Sequence, residues 1–213
     1  MKRINSTAIA IFAALISSAL VAGSKPARAE IKSLSANTQA LEEGAMTTTA
    51  NVEVRDLVIT RVFDAPVERV WKAWTDPNYV MRWWGPTGFT SPSCKIDFRE
   101  GGKFLFHMRA PKDFQGGQDF YTSGVYKKIV RNKLIEFSQG LSDKDGNRVD
   151  PVKMGMPPDF PKEIPSALAF KAVGNKTELT ATEYGWTIGQ MRDMSEAGLS
   201  QCLDKLAEAL AKQ

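Results

Sequence analysis

Seven segments of this chain alternate hydrophobic and polar residues, a pattern typical of β-strands. In one of them Phe104, Phe106 and Met108 share a face, and His107 lies on the other. Short turns, such as the one at residues 99–102, separate neighbouring segments and predict an antiparallel sheet built from hairpins. The predicted strands are Val54–Phe63, Cys94–Phe98, Lys103–Arg109, Tyr121–Val130, Leu134–Gln139, Ser166–Ala172 and Thr177–Glu183.

Two short helices are predicted after the first strand. Pro66 fits the first turn of a helix, where its missing N–H is not needed. The apolar positions that follow have the spacing i, i+3, i+4, i+7 of one helical face: Val67, Val70, Trp71 and Trp74. A second short helix, which begins after Asp76, is predicted to carry Trp83 and Trp84.

A long C-terminal helix is predicted over Ile188–Ala211. Its apolar positions, which include Met191, Met194 and Leu206, recur every three or four residues. An antiparallel sheet must cover one face, and this helix is the only predicted element long enough to do so. The pattern therefore predicts an α+β fold.

The segment from Thr60 to Gly102 is similar in the order of its pieces to the SRPBCC proteins, the superfamily of the START and birch-pollen-allergen-like domains. The resemblance is strongest to the branch named for the activator of heat-shock-protein ATPase, and it covers roughly Val54 to Leu210. It implies a helix-grip fold, in which an antiparallel sheet wraps around a long C-terminal helix and two short helices follow the first strand. It also implies a cavity between helix and sheet.

The N-terminus has the three parts of a signal peptide. Lys2 and Arg3 are basic, Ile9–Val21 is an apolar run, and Ala27-Arg28-Ala29 is a small-x-small cleavage site. The predicted organisation is a signal peptide at 1–29, a flexible segment at 30–52 and an SRPBCC domain at 53–213. An uncleaved membrane anchor is the alternative, although the apolar run is short of the about 20 residues that a spanning helix needs. Translation from Met46 would instead give a cytoplasmic protein.

The net charge of +4 comes from four basic residues in this leader: Lys2, Arg3, Lys25 and Arg28. Without them, the chain has 24 basic and 24 acidic residues. A domain with no net charge lacks the electrostatic footprint of a protein that binds nucleic acid or an anionic membrane. The predicted location is therefore periplasmic or secreted, with no stable membrane anchor after leader removal. The oligomeric state stays open.

Motifs for catalysis, metals and cofactors are missing from the sequence. There is one histidine and there are two cysteines, too few for a common zinc site, and no HExxH, GxSxG or phosphate-binding loop occurs. We predict no metal and no cofactor. His107 is predicted to face solvent, because its strand neighbours Phe104 and Phe106 point to the cavity. Glu183 is the better candidate for an ionisable residue in the cavity.

The predicted ligand pocket combines strand parity, the tryptophan segments and the apolar stripe of the last helix. Aromatic and methionine side chains suit an apolar ligand of variable shape, and they equally suit an irregular core. The predicted pocket residues are Trp71, Trp74, Trp83, Trp84, Phe104, Phe106, Met108, Tyr126, Leu168, Phe170, Leu179, Glu183, Met191 and Met194.

Two further features leave alternatives open. Residues 142–165 contain five prolines and no clear strand pattern, as expected of a functional lid or of a disordered insert. Cys94 and Cys202 could form a disulfide in an exported protein, or remain single buried cysteines.

Three functions fit these observations. The preferred one is an exported soluble protein that binds a hydrophobic small molecule, lipid-like or polycyclic, between sheet and C-terminal helix. The resemblance to cyclases and aromatases implies a cofactor-independent enzyme that uses groups such as Glu183 and Tyr126. The family branch also implies a co-chaperone of a heat-shock-protein ATPase, which requires a start at Met46 because that partner works where ATP is present.

Overall fold

The computed structural model describes residues 53–114 and 116–212. The predicted signal peptide at 1–29 and the predicted flexible segment at 30–52 lie outside these residues. The elements follow one another as β1 (Val54–Phe63), α1 (Val67–Thr75), α2 (Pro77–Val80), β2 (Cys94–Ile96), β3 (Lys103–Arg109), β4 (Asp119–Val130), β5 (Leu134–Ser142), a 3-10 helix (Pro151–Met154), β6 (Ile164–Val173), β7 (Lys176–Thr187) and α3 (Gln190–Ala211).

The described strands form one antiparallel sheet in the order β1-β7-β6-β5-β4-β3-β2. From β2 to β7 each strand pairs with the next strand in sequence, although the long segment 143–163 separates β5 from β6. Strand β1 pairs with β7 and forms the edge opposite β2. Helix α3 contacts β1, β7 and α1, so the long helix lies across the sheet. The predicted α+β helix-grip fold is confirmed.

The tryptophan pair after α2 lies outside the helix predicted to carry it. Helix α2 ends at Val80, and Trp83 and Trp84 follow in consecutive turns. The cause is Gly85, which adopts a positive φ of 98°. Pro86 follows it, and a residue that precedes a proline disfavours helical geometry. The turns point Trp83 into the core and leave Trp84 partly exposed.

The hydrophobic core fills the space between the sheet and the helices. Trp71 packs edge-on against Phe170, with ring centroids 5.1 Å apart, and Trp74 packs against Trp83 at 4.6 Å. Leu179 on β7 and Leu206 on α3 are fully buried in the same cluster. Aromatic pairs in these geometries stabilise a core beyond the area they bury.

Cys94 and Cys202 are free thiols in this structure, so the disulfide alternative is not formed. Burial raises the pKa of each thiol to about 12, and both side chains are therefore neutral at ordinary pH.

Within residues 53–114 and 116–212, no helix combines the length and the hydropathy needed to cross a bilayer.

Candidate functional site

Two adjoining cavities lie between the sheet and α3. The first, here called the aromatic cavity, has a volume of about 40 Å³ and is lined by Trp84, Phe104, Phe106, Tyr126, Phe137 and Leu168, among others. The second, here called the methionine cavity, has a volume of about 120 Å³ and is lined by Met108, Phe160, Trp186, Met191, Met194 and Ser195, among others. Four residues border both: Trp84, Gln139, Glu183 and Leu199.

Ten of the fourteen predicted pocket residues line at least one of these cavities. The aromatic cavity has Trp74, Trp84, Phe104, Phe106, Tyr126, Leu168 and Glu183, and the methionine cavity has Trp84, Met108, Glu183, Met191 and Met194. Phe104, Phe106 and Met108 thus lie on the side of β3 that faces the cavities, as their alternation in the sequence predicted. One continuous cavity was expected, and Trp84 stands at the border of two.

The other four predicted residues, Trp71, Trp83, Phe170 and Leu179, line neither cavity. They are buried in the solid cluster beneath α1 and α3. The Trp71 ring contacts Phe170 at 5.1 Å and Phe98 at 5.7 Å between ring centroids. These residues belong to the hydrophobic core and not to a ligand pocket.

Glu183 is the acidic side chain that borders both cavities. Gln139 Nε2 donates a hydrogen bond to Glu183 Oε1 at 3.0 Å, and Trp186 Nε1 donates to Oε2 at 3.0 Å. The Ser195 hydroxyl lies 3.5 Å from Oε2. Burial raises the pKa of Glu183 to about 7, and the hydrogen bonds from Trp186, Ser195 and Gln139 oppose that rise only in part.

Gln139, Trp186 and Ser195 were not among the predicted site residues. Ser195 could have been found, since it lies four residues after Met191 on the helical stripe that faces the sheet. Gln139 is the last residue of the predicted strand Leu134–Gln139. At a strand end, the sequence does not show whether a polar side chain points inward or into solvent. Trp186 follows Gly185, whose φ of 77° interrupts the regular alternation of β7.

Two indole N–H groups at the aromatic cavity lack a hydrogen-bond partner among the described residues. They are Trp74 Nε1 and Trp84 Nε1, and both atoms are buried. A buried donor without a partner costs about 1 to 3 kcal/mol.

His107 points away from the cavities, but the prediction that it faces solvent is wrong. Its side chain is only 5 % exposed. The ring stacks on Tyr121 at 4.5 Å, its Nδ1 lies 3.0 Å from Ser93 Oγ, and its Nε2 lies 2.9 Å from Asp119 Oδ1. The loop before β2 and side chains of β4 cover this part of the outer face of β3, which strand parity alone does not show.

Asp119 completes this outer cluster with Arg109. The guanidinium Nε and Nη2 donate to the two carboxylate oxygens at 2.6 and 3.0 Å. The Arg109 hydrogen bond is the main reason that the pKa of Asp119 falls to about 2, with a smaller contribution from His107. The cluster ties β3 to β4 and is separate from the cavities.

A larger groove of about 500 Å³ lies beside residues 145–148. Charged side chains border it, including Lys95, Lys103, Asp145 and Arg148. Its walls are not those of an apolar ligand pocket, which is typically lined by hydrophobic and aromatic side chains.

In the part of the chain that the structure describes, no group of three or more His, Cys, Asp or Glu side chains is placed to hold a metal ion.

Comparison with known proteins identifies a family. The family described as Activator of Hsp90 ATPase homolog 1-like protein matches residues 64–211. A search of curated proteins finds no match.

Several solved structures share the fold. A protein from Arthrobacter aurescens is 24 % identical, with a TM-score of 0.58, and the alignment covers 76 % of this chain and 92 % of that one. The AHSA1-like protein from Aeromonas hydrophila is 21 % identical, with a TM-score of 0.55 and coverage of 74 % and 93 %. The AHSA1 protein from Silicibacter pomeroyi is 24 % identical, with a TM-score of 0.56 and coverage of 74 % and 98 %. At these identities the likeness shows the fold.

Proposed function

Because the chain belongs to the family of Activator of Hsp90 ATPase homolog 1-like proteins, whose SRPBCC fold typically binds hydrophobic ligands, we propose that it binds a hydrophobic small molecule between the sheet and α3. The observation that carries the proposal is the pair of adjoining cavities with largely apolar walls. Ligand pockets commonly have such walls, together with a few convergent polar groups.

The size of the cavities supports a ligand with a ring-sized apolar part. A dry engineered cavity of about 150 Å³ binds benzene, and the methionine cavity, at about 120 Å³, is close to that size. Its methionine walls are flexible and adapt to different shapes. Phe160, from the proline-rich segment 142–165, packs edge-on against Trp186 and forms part of the wall, consistent with a lid.

We expect a small neutral probe to perturb the methionines of the cavity selectively. Benzyl alcohol would be titrated into protein labelled at the methionine methyl groups and followed by NMR. The signals of Met108, Met191 and Met194 should shift along a saturable curve, because these side chains line the methionine cavity. The Met81 signal, from the turn after α2, should stay in place and serves as the internal control. Uniform, non-saturating shifts at all methionines would contradict the proposal.

A second candidate function, a cofactor-independent enzyme, is favoured by one observation. Glu183 has a pKa near neutrality and lines both cavities, as a general acid or base would require. Tyr126 also lines the aromatic cavity, and burial raises the pKa of its phenol, which keeps it a neutral hydrogen-bond donor.

Native mass spectrometry of protein purified from its own host separates carrier from enzyme. A carrier should retain the same small molecule in the wild type and in the Glu183→Gln variant. An enzyme that depends on Glu183 should instead accumulate in the variant a molecule of different mass from that bound to the wild type, since the substrate is no longer converted.

We also propose export through the N-terminal leader. The support is the order of basic, apolar and Ala-Arg-Ala parts in the sequence. N-terminal sequencing of the mature protein from its host should begin at Glu30. A soluble product that begins at Met1 or Met46 would contradict export, and a Met46 start would favour the cytoplasmic co-chaperone.

A further inference from the structure

We infer that the molecule bound between the sheet and α3 carries a basic amine, and that its ammonium group pairs with the carboxylate of Glu183. This inference rests on the proposed function, since it specifies the ligand class of the same two cavities.

The position of Glu183 is the first observation. It is one of four residues that border both cavities, and the others, Trp84, Gln139 and Leu199, are uncharged. Because Glu183 lines both cavities, a molecule in either cavity lies against its side chain. The only charge at the shared wall is therefore negative.

The partners of this carboxyl group are the second observation. Gln139 Nε2, Trp186 Nε1 and, at longer range, the Ser195 hydroxyl are all neutral donors. A carboxylate has about four lone-pair sites, so these three donors leave room for one more. Neutral donors compensate a buried negative charge only in part.

Cations on α3 and beyond β5 have partners other than Glu183. On α3, the Arg192 guanidinium bonds Glu196 and the Asp56 carbonyl, and Lys205 Nζ donates to the carbonyls of Gly85 and Phe89. Beyond β5, Arg148 bonds the Ser138 carbonyl. Among the described residues, none forms an ion pair with Glu183.

The other titratable groups near the site do not supply a positive charge. Cys202, which lines the methionine cavity, is a neutral thiol at ordinary pH, and Tyr126 of the aromatic cavity is a neutral phenol. The site therefore holds one carboxyl group, neutral donors and apolar walls. An ammonium group on an apolar body supplies the missing charge and the fourth donor, whereas an anionic ligand would be repelled.

Two isosteric probes test this inference. Benzylamine is protonated at pH 8, and benzyl alcohol has the same shape without the charge. Isothermal titration of the wild type at pH 8 should show benzylamine binding about ten-fold more tightly, because a charge-assisted hydrogen bond exceeds a neutral one by roughly that factor. Titration at pH 7 in buffers of different ionisation enthalpy should show proton release with the amine and none with the alcohol, because the amine ionises Glu183.

The Glu183→Gln variant is the matched control, since glutamine keeps the shape of the protonated carboxyl group. The preference for benzylamine over benzyl alcohol should fall to about one-fold in this variant. If the variant does not fold, the wild type alone still tests the amine inference, through the relative affinity of the two probes and the proton release.

The outcomes separate the two proposals. Equal binding of both probes to the wild type, or tighter binding of the alcohol, overturns the amine inference and leaves the hydrophobic-ligand function standing. An amine preference that persists in Glu183→Gln also overturns it, because the preference then has another source. Failure of both probes to reach the cavity methionines contradicts the proposed function itself.

Discussion

Replacing Trp83 by alanine is expected to lower the free energy of unfolding by about 3 to 5 kcal/mol. The Trp83 side chain is only 1 % exposed, and its ring contacts Trp74 at 4.6 Å and Trp84 at 5.6 Å. Its Nε1 donates a 3.0 Å hydrogen bond to the Ala73 carbonyl, which the substitution leaves buried and unpaired. Because the ring joins the turn after α2 to the end of α1, the cavity that remains has rigid walls on both sides.

Urea denaturation followed by far-UV circular dichroism measures this loss without depending on tryptophan fluorescence. The control is Tyr184→Ala, which removes a large aromatic side chain that is 44 % exposed on β7. We expect that substitution to cost about 1 kcal/mol or less. Similar losses for the two variants would mean that the aromatic cluster around Trp83 is not a tightly packed part of the core.

Stability is expected to fall by about 3 kcal/mol through Glu183 alone as the pH rises from about 4.5 to above 7. The pKa of Glu183 is raised from 4.5 to about 7 in the folded protein, mainly by burial. Between these values the folded state holds a proton that the unfolded state has lost, so raising the pH favours unfolding. Below 4.5 both states are protonated, and well above 7 both are ionised, so the contribution is constant outside the window.

The difference between wild type and Glu183→Gln isolates this contribution from other titrations. Chemical denaturation at several pH values between 4 and 9 measures the free energy of unfolding of both proteins. The value for the variant minus the value for the wild type should increase between about pH 4.5 and 7 and stay constant above that range. Asp119 cannot imitate the effect: its pKa is lowered from 3.8 to about 2, so its stabilising contribution is lost only as the pH falls below 3.8. A difference independent of pH would show that Glu183 is solvated in the folded protein.

The periodicity of the chain was enough to predict the elements and the faces they present. The strand Val54–Phe63 has the predicted bounds, and α3 begins two residues after the predicted Ile188. Phe104, Phe106 and Met108 line cavities, as their shared parity predicted. These successes have one cause: side-chain direction repeats every two residues in a strand and every 3.6 in a helix, so it depends on local geometry alone.

Periodicity does not determine what covers a face or how closely two faces approach. His107 has the outward parity predicted for it, yet Ser93, Tyr121 and Asp119 bury its ring. Leu179 has the inward parity of a cavity residue, yet it is fully buried in the hydrophobic core cluster and lines neither cavity. Both outcomes depend on chain segments distant in sequence.

The sequence by itself therefore determined the α+β fold, the helix-grip arrangement and the inward face of β3 that lines the cavities. Only the tertiary structure decided that the space is divided into two cavities, and that Gln139, Trp186 and Ser195 meet the carboxyl group of Glu183. Those contacts join β5, β7 and α3. Their distances depend on the sheet register and on the position of the long helix, which many weak packing contacts set together and no local pattern encodes.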